Sequence, residues 1–203
     1  DSIMAYKQHF IEWFSGKQIP SYWTTSTNSN ATFTMADEVD GGLKVSTGAT
    51  ATNSNFYLSF NNKRQYSHTG SVSIFVIKPQ IHRSLTTNWF AEVGIGNGNL
   101  GGKGHRFYAH SNNANIQLST TEGSATLVDT GVTEESVWYA VKIENKLSSC
   151  EMSLSGTLKA TATTGLQTTS GMQPQTYANR GTSGSAGSNS LDISYRYMEC
   201  YNT

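Results

Sequence analysis

The sequence is poor in charge. Aspartate, glutamate, lysine and arginine make up only 14% of its 203 residues, with acids and bases balanced at 14 each. That excludes the cationic surface on which binding to nucleic acid or an anionic membrane depends. Apolar runs are short as well, none approaching the roughly 20 residues of a membrane-spanning helix, and no stretch has the pattern of a secretory leader. Beginning at Asp1, the chain reads as a processed product or as one domain of a longer protein. Proline occurs three times and cysteine twice. Cys150 and Cys200 allow at most one intrachain disulfide, the other reading being two buried thiols. Helical periodicity is confined to the start. Ile3, Tyr6, Phe10 and Trp13 recur at helical spacing, which predicts a short amphipathic helix over residues 2–14, or else an extended arm packing its aromatics on the body.

Serine, threonine, asparagine and glycine are plentiful, and aromatics reach 11%. From about residue 15 onward the apolar period is two. Residues 32–35, 42–46 and 55–60 read as short strands between Asn, Gly and Thr clusters. Val72, Ile74 and Val76 alternate with Ser73, Phe75 and Ile77, a pattern apolar on both faces that suits a central strand ended by Pro79. Residues 88–95, 105–110 and 116–120 continue the series. Val137, Tyr139, Val141 and Ile143 mark another strand. Met152, Leu154 and Leu158 predict a hairpin turning at Ser155-Gly156, Gly181 to Ser190 reads as a loop, and residues 191–201 form a strong last strand. Many short strands with hardly a helix imply an all-β, two-sheet antiparallel jelly-roll sandwich. The expected organisation is an arm or short helix over 1–14 and one sandwich domain over 15–203, with no internal repeat. Asn30-Ala31-Thr32 is a glycosylation sequon.

Two segments carry a resemblance. Phe14-Ser15-Gly16-Lys17-Gln18-Ile19-Pro20-Ser21-Tyr22-Trp23 resembles the opening of concanavalin-A-like lectin/glucanase domains, laminin-G-like ones included, and Asp40 to Gly48 is similar to the strand that follows. Tyr197-Met198-Glu199-Cys200-Tyr201-Asn202-Thr203 resembles the closing strand of such domains in phage and environmental virus particle proteins. The resemblance implies a concanavalin-A-like jelly roll used to bind glycans or to build adhesive and particle-surface parts, located outside the cell or on a virus particle.

Gln80-Ile81-His82 is similar to a motif of alginate-lyase-type polysaccharide lyases. Eliminative cleavage needs a group to neutralise the uronate, a base for the C5 proton and an acid for the leaving oxygen. That likeness implies Gln80 for the first task, with His82 and Tyr195 or Tyr201 sharing the proton transfers. Tyr195, Tyr201 and Asn202 reproduce three positions of that family's last motif. Its Arg-Ser-Glu-Leu-Arg element is missing, and Asn62-Lys63-Arg64-Gln65-Tyr66 does not replace it.

Other chemistry lacks its parts. Retaining glycosidases need two carboxylates about 5 Å apart. Glu38-Val39-Asp40 has the first spacing but runs into Gly41-Gly42, and the adjacent Glu134 and Glu135 read as solvated turn acids. No Gly-x-Ser-x-Gly elbow occurs, and Gly96 to Gly101 matches a phosphate-loop pattern without the helix that must follow it. No Cys/His cluster has zinc spacing. No cofactor is expected, and Asp37, Glu38 and Asp40 form the candidate cluster if calcium binds.

A binding face is legible. Alternation sends Phe107 and Ala109 to the core and Arg106, Tyr108 and His110 outward, with Asn112 just beyond and Glu92 on the preceding strand. Aromatic rings beside planar polar groups suit a sugar. The arm offers a further role, since Tyr6, Phe10 and Trp13 would seat on a neighbouring copy if exposed. The sequence therefore reads as a non-catalytic adhesion or structural domain that binds glycan or self-associates, with polysaccharide elimination as the alternative.

Overall fold

The computed structural model describes residues 9–16, 18–28, 31–35, 42–47, 55–60, 66–67, 69–81, 89–97, 103–122, 124–166, 171–179 and 191–203. Among them are fifteen strands and no helix. In chain order these are β1 (His9–Glu12), β2 (Thr24–Asn28), β3 (Thr32–Met35), β4 (Leu43–Ser46), β5 (Asn55–Ser59), β6 (Ser71–Ile81), β7 (Phe90–Gly96), β8 (Gly104–His110), β9 (Asn113–Thr121), β10 (Ala125–Thr133), β11 (Tyr139–Asn145), β12 (Cys150–Leu154), β13 (Thr157–Ala162), β14 (Gln173–Asn179) and β15 (Leu191–Asn202). Every pairing is antiparallel.

The strands form two sheets. One runs β13-β12-β11-β6-β15-β4-β3, with β1 added on β15, and the other runs β10-β9-β8-β7-β14-β5-β2. The inner faces meet through Val45, Phe75, Ile77, Val141, Ile193 and Met198 from the first sheet and Phe56, Leu58, Val93, Ile95, Phe107 and Leu118 from the second. Each such side chain contributes roughly 1.5–3 kcal/mol on burial, which is what holds the layers face to face. The β12–β13 hairpin turns at Ser155 and Gly156, both at positive φ, as its tight two-residue turn requires.

The structure departs from the sequence reading at the arm, at Pro79 and at Glu134. Residues 9–12 are a strand paired with the far end of β15, so the helix fails where the arm is described. In a strand Phe10 and Trp13 fall on opposite sides. Phe10 is buried against Phe60, Trp23 and Tyr22, while Trp13 is 62% exposed and leans on Tyr197. Phe10 is thus spent on its own core and cannot seat on a neighbouring copy. Tyr6 lies outside the described residues.

Pro79 does not end its strand. β6 runs on to Ile81, and Pro79 pairs with Ile193 of β15. The other neighbour, β11, pairs with β6 only as far as Ile77, so the missing proline donor removes no bond on that side. Glu134 is buried rather than solvated.

The two cysteines are free and buried. Cys150 on β12 and Cys200 on β15 are three strand spacings apart, about 14 Å, too far for a disulfide.

Candidate functional site

The outer face of the seven-stranded sheet gathers most of the polar side chains that the sequence pointed to. Alternation along β8 places Arg106, Tyr108 and His110 there, and β7 adds Phe90 and Glu92. The register lines them up across the strands. Glu92 stands opposite Tyr108 on one side and Tyr177 of β14 on the other. Gln117 of β9 extends this row beyond Tyr108, and Tyr57 of β5 extends it beyond Tyr177. One carboxylate therefore sits in the middle of a row of three tyrosines and an amide.

The next row is built differently. Arg106 faces Gly94, followed by Gln175 and Ser59, and Gly96 faces Gly104. These glycines form a floor. A Cβ on Gly96 would fall 2.5 Å from Gln175 Nε2 and 2.8 Å from Arg106 Nη2, and one on Gly104 would fall 2.9 Å from the same Nη2. Only hydrogen in those positions lets the two long side chains lie down on the sheet. Arg106 is consequently just 1% exposed, with Nη2 donating to the Lys103 carbonyl at 3.3 Å.

Arg106 Nε is 3.6 Å from Glu92 Oε2, and Glu92 is 7% exposed. Among the described residues that oxygen accepts no hydrogen bond. Burial pushes the Glu92 carboxyl above its ordinary value, and the arginine opposes this only in part. Burial, helped by the charge of Glu92, pushes Tyr108 up to about 12. Tyr57 is also raised by burial, against the pull of Ser59 and Arg106. Both phenols are therefore neutral at physiological pH and can donate or accept.

Ring contacts fill the space around the acid. Phe90 meets Tyr177 edge-on at 5.2 Å and Tyr108 at 6.1 Å, and Tyr108 lies 5.1 Å from the His110 ring. Asn112 is not in the row. It sits on the β8–β9 turn, where its backbone N–H donates to His110 Nδ1 at 3.1 Å. With that nitrogen accepting, His110 carries its proton on Nε2 and donates to Gln117 Oε1 at 2.9 Å. Asn112 thus orients a neighbour of the row.

The elimination set does not assemble. A bulge at Arg196, between Tyr195 and Tyr197 in the β6–β15 register, reverses the alternation of β15. Tyr195 consequently points into the core, fully buried and 5.9 Å from Phe14, while Tyr201 points outward against His9. Burial pushes the Tyr195 hydroxyl far above its ordinary value. Gln80 is on the outer face of the eight-stranded sheet, opposite Asp192, whereas Tyr201 is opposite Val72. Eight residues of β6 separate those positions, roughly 26 Å. His82, Asp37, Glu38, Asp40 and Asn30 lie outside the described residues. No three His, Cys, Asp or Glu side chains among the described residues gather to hold a metal ion.

Trp23 is buried against Phe60 and Phe14, and Trp138 is half-buried with Arg196 4.2 Å from its ring centre.

No protein-family model matches the sequence, and no curated protein matches it. Solved structures do match its architecture. The carbohydrate recognition domain of Emp47p superposes with a TM-score of 0.65 at 10% identity, over 96% of this chain and 94% of that one. The β-glucanase of Bacillus licheniformis gives 0.60 at 14% identity, over 96% and 98%. A Bacteroides ovatus mixed-linkage glucan GH16 protein, solved in complex with a G4G4G3G product, gives 0.67 at 8% identity, over 94% and 99%. The fold is the concanavalin-A-like jelly roll. At such identities the likeness concerns the jelly roll alone, and it bears on neither the lyase likeness nor the particle-protein likeness of the closing strand.

Proposed function

We propose that the outer face of the seven-stranded sheet binds a glycan and does not cleave it. The observation that carries this reading is the row Gln117–Tyr108–Glu92–Tyr177–Tyr57. It spans four strand spacings, about 19 Å, which matches an oligosaccharide laid across the strands better than a single sugar. Aromatic rings offer surface to the apolar faces of sugar rings, and the acid and amides offer partners for hydroxyls. That several jelly rolls of similar shape are a carbohydrate recognition domain, a glucanase and a glucan-complexed protein supports the glycan assignment.

Cleavage by two carboxylates has no second partner in that row. The nearest acid along it is Asp129 of β10, opposite Gln117 and three strand spacings from Glu92, about 14 Å. Retaining hydrolysis works at about 5–5.5 Å and inverting hydrolysis at about 6.5–9.5 Å. Asp129 is also held by Asn113, Asn115 and the Gly131 amide, which keep its carboxyl below the ordinary range and suit a fixed acceptor better than a proton donor.

The test is retention in gels cast with soluble polysaccharides, paired with assays for new reducing ends and for the ultraviolet absorbance of unsaturated sugars. Retention without either product is the expected result. Product formation abolished by Glu92→Gln would replace a binding face with an active site.

A further inference from the structure

We infer that this face selects uncharged glycans, with the Glu92 carboxylate accepting a sugar hydroxyl and turning away uronates and sulfated sugars. The inference rests on the glycan-binding reading and narrows its ligand class.

The charges on this face are few. Arg106 is the one arginine or lysine in the two central rows among the described residues, and it is not presented to a ligand. Its guanidinium lies on the glycine floor, 1% exposed, one nitrogen spent on the Lys103 carbonyl and another 3.6 Å from Glu92. A carboxylate or sulfate laid on the row would come within reach of the Glu92 charge, while the compensating cation lies buried in the next row. Like charges brought together in a site of low dielectric repel strongly. A hydroxyl has the opposite fate. Glu92 Oε2 is buried without a hydrogen bond among the described groups, whereas Oε1 is not so enclosed, and a donor reaching Oε1 gains a charge-assisted hydrogen bond. The flanking Tyr108 and Tyr177 supply phenol hydroxyls, the latter already accepting from Asn179 Nδ2 at 3.2 Å. The amides of Gln117 and Gln175 add no charge. This distribution of charge is also opposite to what elimination of a uronate needs, which is a presented cation beside the substrate carboxylate.

Matched polymers test this, because they change charge and little else. Hydroxyethylcellulose would be compared with carboxymethylcellulose, and methyl-esterified with de-esterified polygalacturonate, by affinity electrophoresis of the intact chain. The expected result is retention by a neutral member and at least about tenfold weaker retention by its anionic partner. Glu92→Gln should weaken neutral binding roughly ten- to hundredfold and bring the pair to near equality. Anionic polymers retained as well as their neutral partners would overturn the inference and leave the glycan-binding reading standing. Retention by no member of either pair would remove both. The wild-type comparison needs no variant to fold.

Discussion

Glu92 Oε2 stands 3.6 Å from Arg106 Nε on the outer face of the seven-stranded sheet, and both side chains are nearly sealed from solvent. An ion pair so placed is a poor way to stabilise a fold, because desolvation consumes most of the Coulombic gain. Burial does raise the Glu92 carboxyl in spite of the arginine. The protein thus places an ionisable group where its surroundings oppose the charge, and such placements concentrate at sites that bind or react.

A stability test follows from the sign of that shift. A carboxyl whose folded value lies above its unfolded value takes up a proton more readily in the folded chain. Its contribution therefore favours the fold at low pH and declines as pH rises from the ordinary value of 4.5 to the raised one, staying low above that. Glu92→Gln should raise Tm at pH 7 by about 2–4 °C, with the advantage gone near pH 4. Thermal unfolding across pH reads this directly. A lower Tm at pH 7 would mean that Arg106 depends on the anion more than burial opposes it.

The glycine floor gives a second test, in which two neighbouring substitutions should differ. A Cβ on Gly94 would fall 2.2 Å from the His105 carbonyl, a backbone atom. Gly94→Ala should therefore cost about 1–3 kcal/mol in urea unfolding. On Gly96 the obstacles are the ends of the Gln175 and Arg106 side chains, which can move. Gly96→Ala should cost less stability and show its effect in glycan retention, by lifting those two groups into the row.

The arm separates Phe10 from Trp13. Phe10 packs within 4.4 Å of the Phe60 ring centre, and its truncation to alanine should cost about 3–5 kcal/mol. Trp13 is mostly exposed, so Trp13→Ala should stay within about 1 kcal/mol. Equal effects in chemical denaturation would contradict the strand assignment of residues 9–12.

Tyr195→Phe tests the elimination alternative. The hydroxyl is buried beside Thr176, with no hydrogen bond of good geometry. Its removal should leave stability unchanged or slightly raised. Ultraviolet absorbance over alginate should stay flat for wild type and variant alike. Rising absorbance lost in Tyr195→Phe would bring that hydroxyl out of the core.

Much of the architecture was legible because alternation is local. The faces of Arg106, Tyr108 and His110 followed from period two alone. What alternation cannot tell is which strands lie side by side. β14 carries Tyr177 and Gln175 into the site, yet its sequence contains Pro174 and lies next to a Gly/Ser-rich segment, so it did not read as a strand. Its partner β5, which brings Tyr57, is more than a hundred residues earlier in the chain. The spacing of Gly94, Gly96 and Gly104 was the one local signal for the floor, visible once β7 and β8 are aligned. The bulge at Arg196 was invisible to alternation, and it puts Tyr195 and Tyr201, which the lyase likeness offered as alternatives, on opposite faces. The helix over the arm failed for a different reason, and its alternative, an extended arm packing on the body, is what residues 9–12 form. Four aromatic and apolar residues at helical spacing fit a helix, but pairing with β15 satisfies the backbone of residues 9–12 and buries Phe10 as well.

The most direct measurement uses the ten tyrosines as reporters. With 3-fluorotyrosine incorporated and resonances assigned by single Tyr→Phe changes, fluorine NMR during titration with a neutral glycan maps the bound surface. The account predicts shifts at Tyr57, Tyr108 and Tyr177, with Tyr195, Tyr197 and Tyr201 unmoved. Shifts at Tyr197 and Tyr201 instead would move the binding face to the other sheet and contradict the account.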